Sequence, residues 1–98
     1  MGKVIFTISY DIIPDKRSEY VALTQEMKSH FANQNSKNYA IYEQKGKKNS
    51  FSEIFVCNSM EEYDQIEDQD EQMTQFIARL ESLLAGPKMK YSTLIELE

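Results

Sequence analysis

Cysteine is almost absent from this chain. Its 98 residues hold one, Cys57, so no internal disulfide can form, and a reducing cytoplasm is the expected setting. Tryptophan is missing and histidine occurs once, at His30. One histidine and one cysteine are too few for a zinc site of the usual kind, and no metal is expected. Two prolines and three glycines leave no room for a long linker, so residues 1–98 read as one domain. No apolar run approaches the ~20 residues of a membrane span. The N-terminal residues enter an alternating pattern at once, without a basic stretch, apolar segment and small-residue cleavage site. Neither export nor a membrane partner is expected.

Positive charge is also in short supply. Eleven Lys and Arg against 16 Asp and Glu give a net charge of −5. The halves differ: residues 1–49 carry 8 bases and 5 acids (+3), and residues 50–98 carry 3 bases and 11 acids (−8). An acidic chain is repelled by phosphate backbones, so nucleic acid is not an expected partner. The lysines at 45, 47 and 48 surround Gly46 in a hairpin turn and read as a solvated loop tip. The acids between Glu61 and Glu71 read as a solvated helix face, with no calcium-loop spacing.

What is present is a clear series of elements. KVIFTISY (3–10) alternates Val4, Phe6, Ile8 and Tyr10 with Ile5, Thr7 and Ser9, a strand pattern. Pro14 and Asp15 punctuate the chain, and Asp15 is placed to cap a helix from about Lys16 to Asn33. Tyr20, Leu23, Met27 and Phe31 form its apolar stripe. A polar loop follows over 33–38. Strands over Tyr39–Gln44 and Ser50–Asn58 flank the glycine-containing turn as an antiparallel hairpin. Ser59 and Glu62 have capping-box spacing. Helical periodicity then runs from Met60 to Ala85 with a weak point near Asp68–Asp70, and Gly86–Pro87 stops it. Lys90–Leu97 alternates as a final strand. The order β-α-β-β-α-β predicts an α+β, ferredoxin-like fold: a four-stranded antiparallel sheet with its helices on one face.

Both faces of that sheet carry apolar residues. Strand one offers Val4, Phe6 and Ile8 to one side and Ile5 to the other, and Ile54, Val56 and Leu94 share the second side. Helices can cover one face only. The remaining apolar face predicts a homodimer with a two-fold axis, each sheet covering the other. The plainer alternative is that Ile5, Ile54 and Leu94 are scattered surface residues.

KVIFTISY, the Pro14–Asp15 turn, Tyr39–Tyr42, SFSEIFVCNSMEEYDQI (50–66) and LLAGPKMKYSTLIEL (83–97) together resemble the dimeric α+β-barrel superfamily, and within it the antibiotic-biosynthesis-monooxygenase-type domains. The likeness is one of element order and length across nearly the whole chain. It implies a ligand cavity between sheet and helices, no cofactor, and cofactor-independent oxidation or isomerisation of a small apolar or aromatic molecule. Relatives that degrade haem use an Asn on the first strand, a Trp ending the third and a His on the second helical segment. This chain has Cys57 where that Trp would stand and neither of the others, so haem degradation is not expected.

The resemblance places Phe51, Glu53, Phe55 and Cys57 on the helix-facing side with Val4, Phe6, Ile8 and Tyr10. Glu53 would then be a desolvated carboxylate with a raised pKa, suited to general acid or base work; a structural pairing with a neighbouring Tyr, His or Lys is the alternative. His30 borders the apolar stripe of helix one and would join Glu53 as a second proton carrier if the two face each other; otherwise it is a boundary residue. Phe6, Tyr10, Phe55, Cys57, Tyr63 and Phe76 are the expected pocket lining. Cys57 sits before a helix start that could lower a thiol pKa, yet with no base beside it a buried inert thiol is expected. The competing class is a non-catalytic binding or interaction domain whose pocket is filled by its own rings.

Overall fold

In the computed structural model, residues 2–32, 38–69, 71–86 and 89–97 are described. The strands are β1 (Val4–Asp11), β2 (Tyr39–Glu43), β3 (Ser50–Cys57) and β4 (Lys90–Ile95); the helices are α1 (Arg17–Ala32), α2 (Met60–Gln69) and α3 (Glu71–Glu81). The sheet order is β2-β3-β1-β4, with every neighbouring pair antiparallel. This is the ferredoxin-like arrangement that the sequence predicts.

Local chemistry explains most element boundaries. Alternation in β1 turns Val4, Phe6, Ile8 and Tyr10 toward the helices, opposite Cys57, Phe55, Glu53 and Phe51 of β3. The hairpin turn needs Gly46 at φ 84°, and Asn49 also takes a left-handed φ of 68° before β3 begins. Ser59 caps α2: its hydroxyl accepts from the Glu62 N–H at 3.3 Å, while the Glu62 carboxylate reaches back one residue past the cap to accept from the Asn58 N–H at 3.2 Å.

Two boundaries differ from the periodic pattern. Asp15 does not cap α1. Pro14 opens a 3-10 turn over Pro14–Lys16 instead, with Ile13 at its N-cap and no side-chain cap. Further along, α3 stops at Glu81 rather than Ala85. Residues 82–85 lie along the end of β1, where Ile13 N–H donates to Leu83 and Ala85 N–H to Asp11. The polar loop at Asn33–Lys37, Asp70, Pro87 and the side chains of residues 65–69 lie outside the described residues.

The core lies between the sheet and α1 and α3. Tyr20, Leu23, Met27 and Phe31 are buried as the stripe predicts, while Val21 beside them is exposed. Phe76, Leu80 and Leu83 are buried from the other side, with Met73 and Leu84 half-buried against them. On the opposite sheet face Ile5, Ile54 and Val56 are half-buried and Leu94 is exposed, and no helix packs over them among the described residues. No helix packs on β4 among the described residues, and all six of its residues are exposed.

Candidate functional site

Glu53 stands in the middle of β3, paired with Ile8 of β1 and Ile41 of β2. Alternation turns it toward α1, and it is 2% exposed. A buried carboxylate needs donors, and tyrosines supply them. Tyr10 donates to Oε2 and Tyr39 to Oε1, each at 2.7 Å. The Tyr20 hydroxyl lies 2.9 Å from that of Tyr10. Tyr20 is brought there by the first turns of α1, its ring 4.3 Å from that of Phe51.

Burial pushes the Glu53 carboxyl pKa up, and the two hydroxyl donors pull part of that back. Burial also pushes Tyr10, Tyr39 and Tyr20 up, with the Glu53 charge adding to each. The three phenols therefore stay protonated and available as donors. An outer clasp closes this end of the sheet. Arg17 donates to both carboxylate oxygens of Glu43, at 2.7 and 2.9 Å, and to Asn49 Oδ1 at 2.9 Å. With the Asn49 N–H also donating, Glu43 is held down to about 2.

His30 is placed elsewhere. It is half-buried near the end of α1, edge-on to Phe31 and Phe76 with ring centroids 5.0 and 5.6 Å away. No hydrogen bond joins it to Glu53 among the described residues; both Glu53 oxygens go to tyrosines. Cys57 is buried, and burial followed by the Glu62 charge pushes its thiol pKa up. The start of α2 does not activate it, which agrees with an inert thiol.

The expected pocket rings divide into two groups. Phe55 and Phe76 both pack on Phe31, at 5.0 and 6.0 Å, inside the closed core. Phe6 lies on the border. It is half-buried, 5.7 Å from Phe55, 5.7 Å from Tyr63 and 6.3 Å from Tyr91 in a stacked pose. The Tyr63 hydroxyl is 3.2 Å from Thr93 Oγ1, and Tyr91 donates to Met89 Sδ at 3.5 Å. Tyr63 of α2 thus reaches across Phe6 to β4, whose six residues are exposed. Tyr91 pairs with Ile8, and Ile8 pairs with Glu53, so Tyr91 and the carboxylate share one transverse row of the sheet. A separate hollow of about 530 Å³ at the far end of β1 is lined by Ser9, Asp11, Lys47 and Lys90 together with Tyr10 and Met89; neither Glu53 nor His30 lines it.

Sequence reasoning singled out Glu53 and Tyr10 and allowed a neighbouring Tyr as a structural partner for Glu53, but did not name Tyr20 or Tyr39 as parts of one network with them. Tyr20 was legible only as a core position, because its partner Tyr10 is set by the docking of α1 on β1. Among the described residues, no group of three or more His, Cys, Asp or Glu could hold a metal ion, and no helix is long and apolar enough to cross a membrane.

No protein-family profile matches the chain, and neither does any curated protein. Solved structures do. A conserved protein from Methanosarcina mazei Go1 superposes with a TM-score of 0.84 at 12% identity, over 96% of this chain and 92% of that one. SnoaB from Streptomyces nogalater, described as a cofactor-independent oxygenase, gives 0.76 at 15% identity, over 94% and 90%. A structure described as an antibiotic biosynthesis monooxygenase gives 0.73 at 15% identity, over 100% and 98%. At these identities the likeness is one of fold, and the chain carries the ferredoxin-like α+β fold of the antibiotic-biosynthesis-monooxygenase-type structures.

Proposed function

We propose that this protein is a homodimer whose protomers each bind a small aromatic or apolar molecule between β4 and α2. In this reading it carries out cofactor-independent oxidation or isomerisation, with Glu53 as the proton carrier. The observation that carries the reading is the half-buried Phe6 ring, flanked by Tyr63 and Tyr91 beside a strand whose six residues are all exposed. Three aromatic faces with hydroxyls at their margin suit a planar ligand bearing one or two polar groups. Chemistry without a cofactor needs a proton removed to make the ligand electron-rich, and a buried carboxylate with a raised pKa is suited to accept it. The reading gives the step to Glu53 rather than to His30, whose ring stands against Phe31 and Phe76. The likeness to SnoaB supports the class of reaction.

The test uses a dihydroxynaphthalene probe. Addition should perturb the Tyr63 and Tyr91 ring signals in NMR, and Tyr91→Ala should weaken binding on the order of 5-fold, the loss of one ring face worth about 1 kcal/mol. Oxygen uptake above the buffer rate should appear with the unaltered chain and vanish in Glu53→Gln. Absence of any ring perturbation up to millimolar probe would overturn the binding reading. Binding without uptake would favour the non-catalytic reading, which has its own support: Glu53 is already bonded through both oxygens, and Phe6, Phe55, Phe31 and Phe76 are in ring contact.

The dimer is supported by the far sheet face. Ile5, Ile54 and Val56 are left half-buried there, and Leu94 is 55% exposed. A second copy laid on this face by a two-fold axis would bury the patch on both chains at once. Sedimentation at micromolar concentration should give ~23 kDa, twice the 11.5 kDa of one chain. Ile54→Lys points away from the helix-side core and should shift the chain to monomer without unfolding it. A monomer before any substitution would remove the dimer from the reading.

A further inference from the structure

The tyrosine network has a direction, and its direction gives Tyr20 a role. A phenol has one proton to give. Tyr10 gives its proton to Glu53 Oε2, at 2.7 Å. The contact between the Tyr10 and Tyr20 hydroxyls, at 2.9 Å, can then be a hydrogen bond only if Tyr20 is the donor. All the protons therefore point inward: Tyr20 to Tyr10 to Glu53, with Tyr39 donating from the other side. Tyr10 and Tyr20 are both buried.

We propose that Tyr20 is a positioning residue for Glu53: by donating to Tyr10 it holds the Tyr10 proton on the carboxylate and sets how readily Glu53 takes up a proton. A hydroxyl that accepts a hydrogen bond becomes a stronger donor, because each bond polarises the next. Tyr20 thus stabilises the ionised carboxylate without touching it. The groups that face Glu53 are Tyr10 from β1 and Tyr39 from β2, and Tyr20 from α1 faces it through Tyr10. Arg17 and Glu43 act on Tyr20 through space, and the Glu53 charge reaches Tyr91 on β4. The inference rests on the reading of Glu53 as the proton carrier. It places part of the control of that carrier on a helix, in a residue 33 positions away in the sequence.

The experiment is a carboxyl titration of the ligand-free chain, following the Glu53 side-chain carbon by 13C NMR. Its outcome is therefore separate from whether a probe binds or oxygen is consumed. Tyr10→Phe and Tyr39→Phe, which remove direct donors, should raise the titration midpoint. Tyr20→Phe should raise it too, by less, with circular dichroism unchanged. If Tyr20→Phe does not fold, 3-fluorotyrosine placed at position 20 alone keeps the ring and strengthens the donor, and it should lower the midpoint. A Tyr20→Phe midpoint equal to or below that of the unaltered chain would overturn the proposal, as would a rise with fluorotyrosine.

Discussion

Glu53→Ala is expected to lower stability at pH 7 by about 2–4 kcal/mol, measured by urea unfolding with circular dichroism. The carboxylate is 2% exposed and is the acceptor for two buried phenols at 2.7 Å each. Its removal leaves a cavity and takes away the acceptor of both Tyr10 and Tyr39. A buried donor without a partner costs about 1–3 kcal/mol. Relief from burying the carboxylate itself offsets part of this, so the figure is not the sum of both penalties. Against the ~5–15 kcal/mol of a domain this size, the loss is large. An alanine variant as stable as the unaltered chain would sink this account.

Glu53→Gln separates the charge from the shape. It fills the same space and keeps one acceptor, so about 1 kcal/mol or less should be lost at pH 7. The pH dependence should change more. The Glu53 pKa is raised in the folded state, so the folded chain holds that proton more tightly than the unfolded chain. Stability from this group is complete below the unfolded value of about 4.3 and falls as pH rises through the raised folded value. Glu43 and Glu26 are shifted down by Arg17 and Arg79, so they act below that window and with the opposite sign. The buried tyrosines are pushed up from an already basic value, so they act above it. Comparing pH 5 with pH 8 should therefore show a fall in stability for the unaltered chain that is much reduced in Glu53→Gln. Equal slopes would show that Glu53 titrates as it does in water.

Phe55→Ala is expected to cost about 3–5 kcal/mol and to lower the melting temperature by more than ~15 °C. Phe55 is 0% exposed. Its ring meets Tyr39 at 4.6 Å, Phe31 edge-on at 5.0 Å and Phe6 at 5.7 Å. It thus joins the packed core under α1 to the half-buried Phe6 ring. The neighbours belong to three different elements held by the sheet and α1, so they cannot collapse into the space left behind. Tyr91→Ala is the contrast. Tyr91 is 54% exposed on an uncovered strand, and its loss should change stability by less than ~1 kcal/mol while weakening the ligand. Calorimetry on the two variants decides this. A Phe55→Ala chain melting within ~5 °C of the unaltered one would mean that the ring is not a joint of the core.

Residue order alone carried the element types, their sequence and the sheet parity. Those properties are local: alternation in 3–10 and 50–57, the Tyr20–Leu23–Met27–Phe31 spacing and the Ser59–Glu62 cap each act within a few residues. It also carried Glu53 as a polar residue on an apolar face. The exceptions were local competitions in which backbone geometry prevailed. Pro14 imposed a tight turn where Asp15 was expected to cap, and pairing with the end of β1 drew residues 82–85 out of the helix. Tertiary structure alone decided which partners met Glu53, because hydrogen-bond geometry depends on tenths of an ångström between elements far apart in the chain. Tyr10 and Glu53 are 43 residues apart, and Tyr39 and Glu53 are 14 apart, so periodicity holds no record of their meeting. It likewise decided that the β4 residues stay exposed and that His30 turns to Phe31 and Phe76, since helix docking is set by the whole core rather than by any one segment.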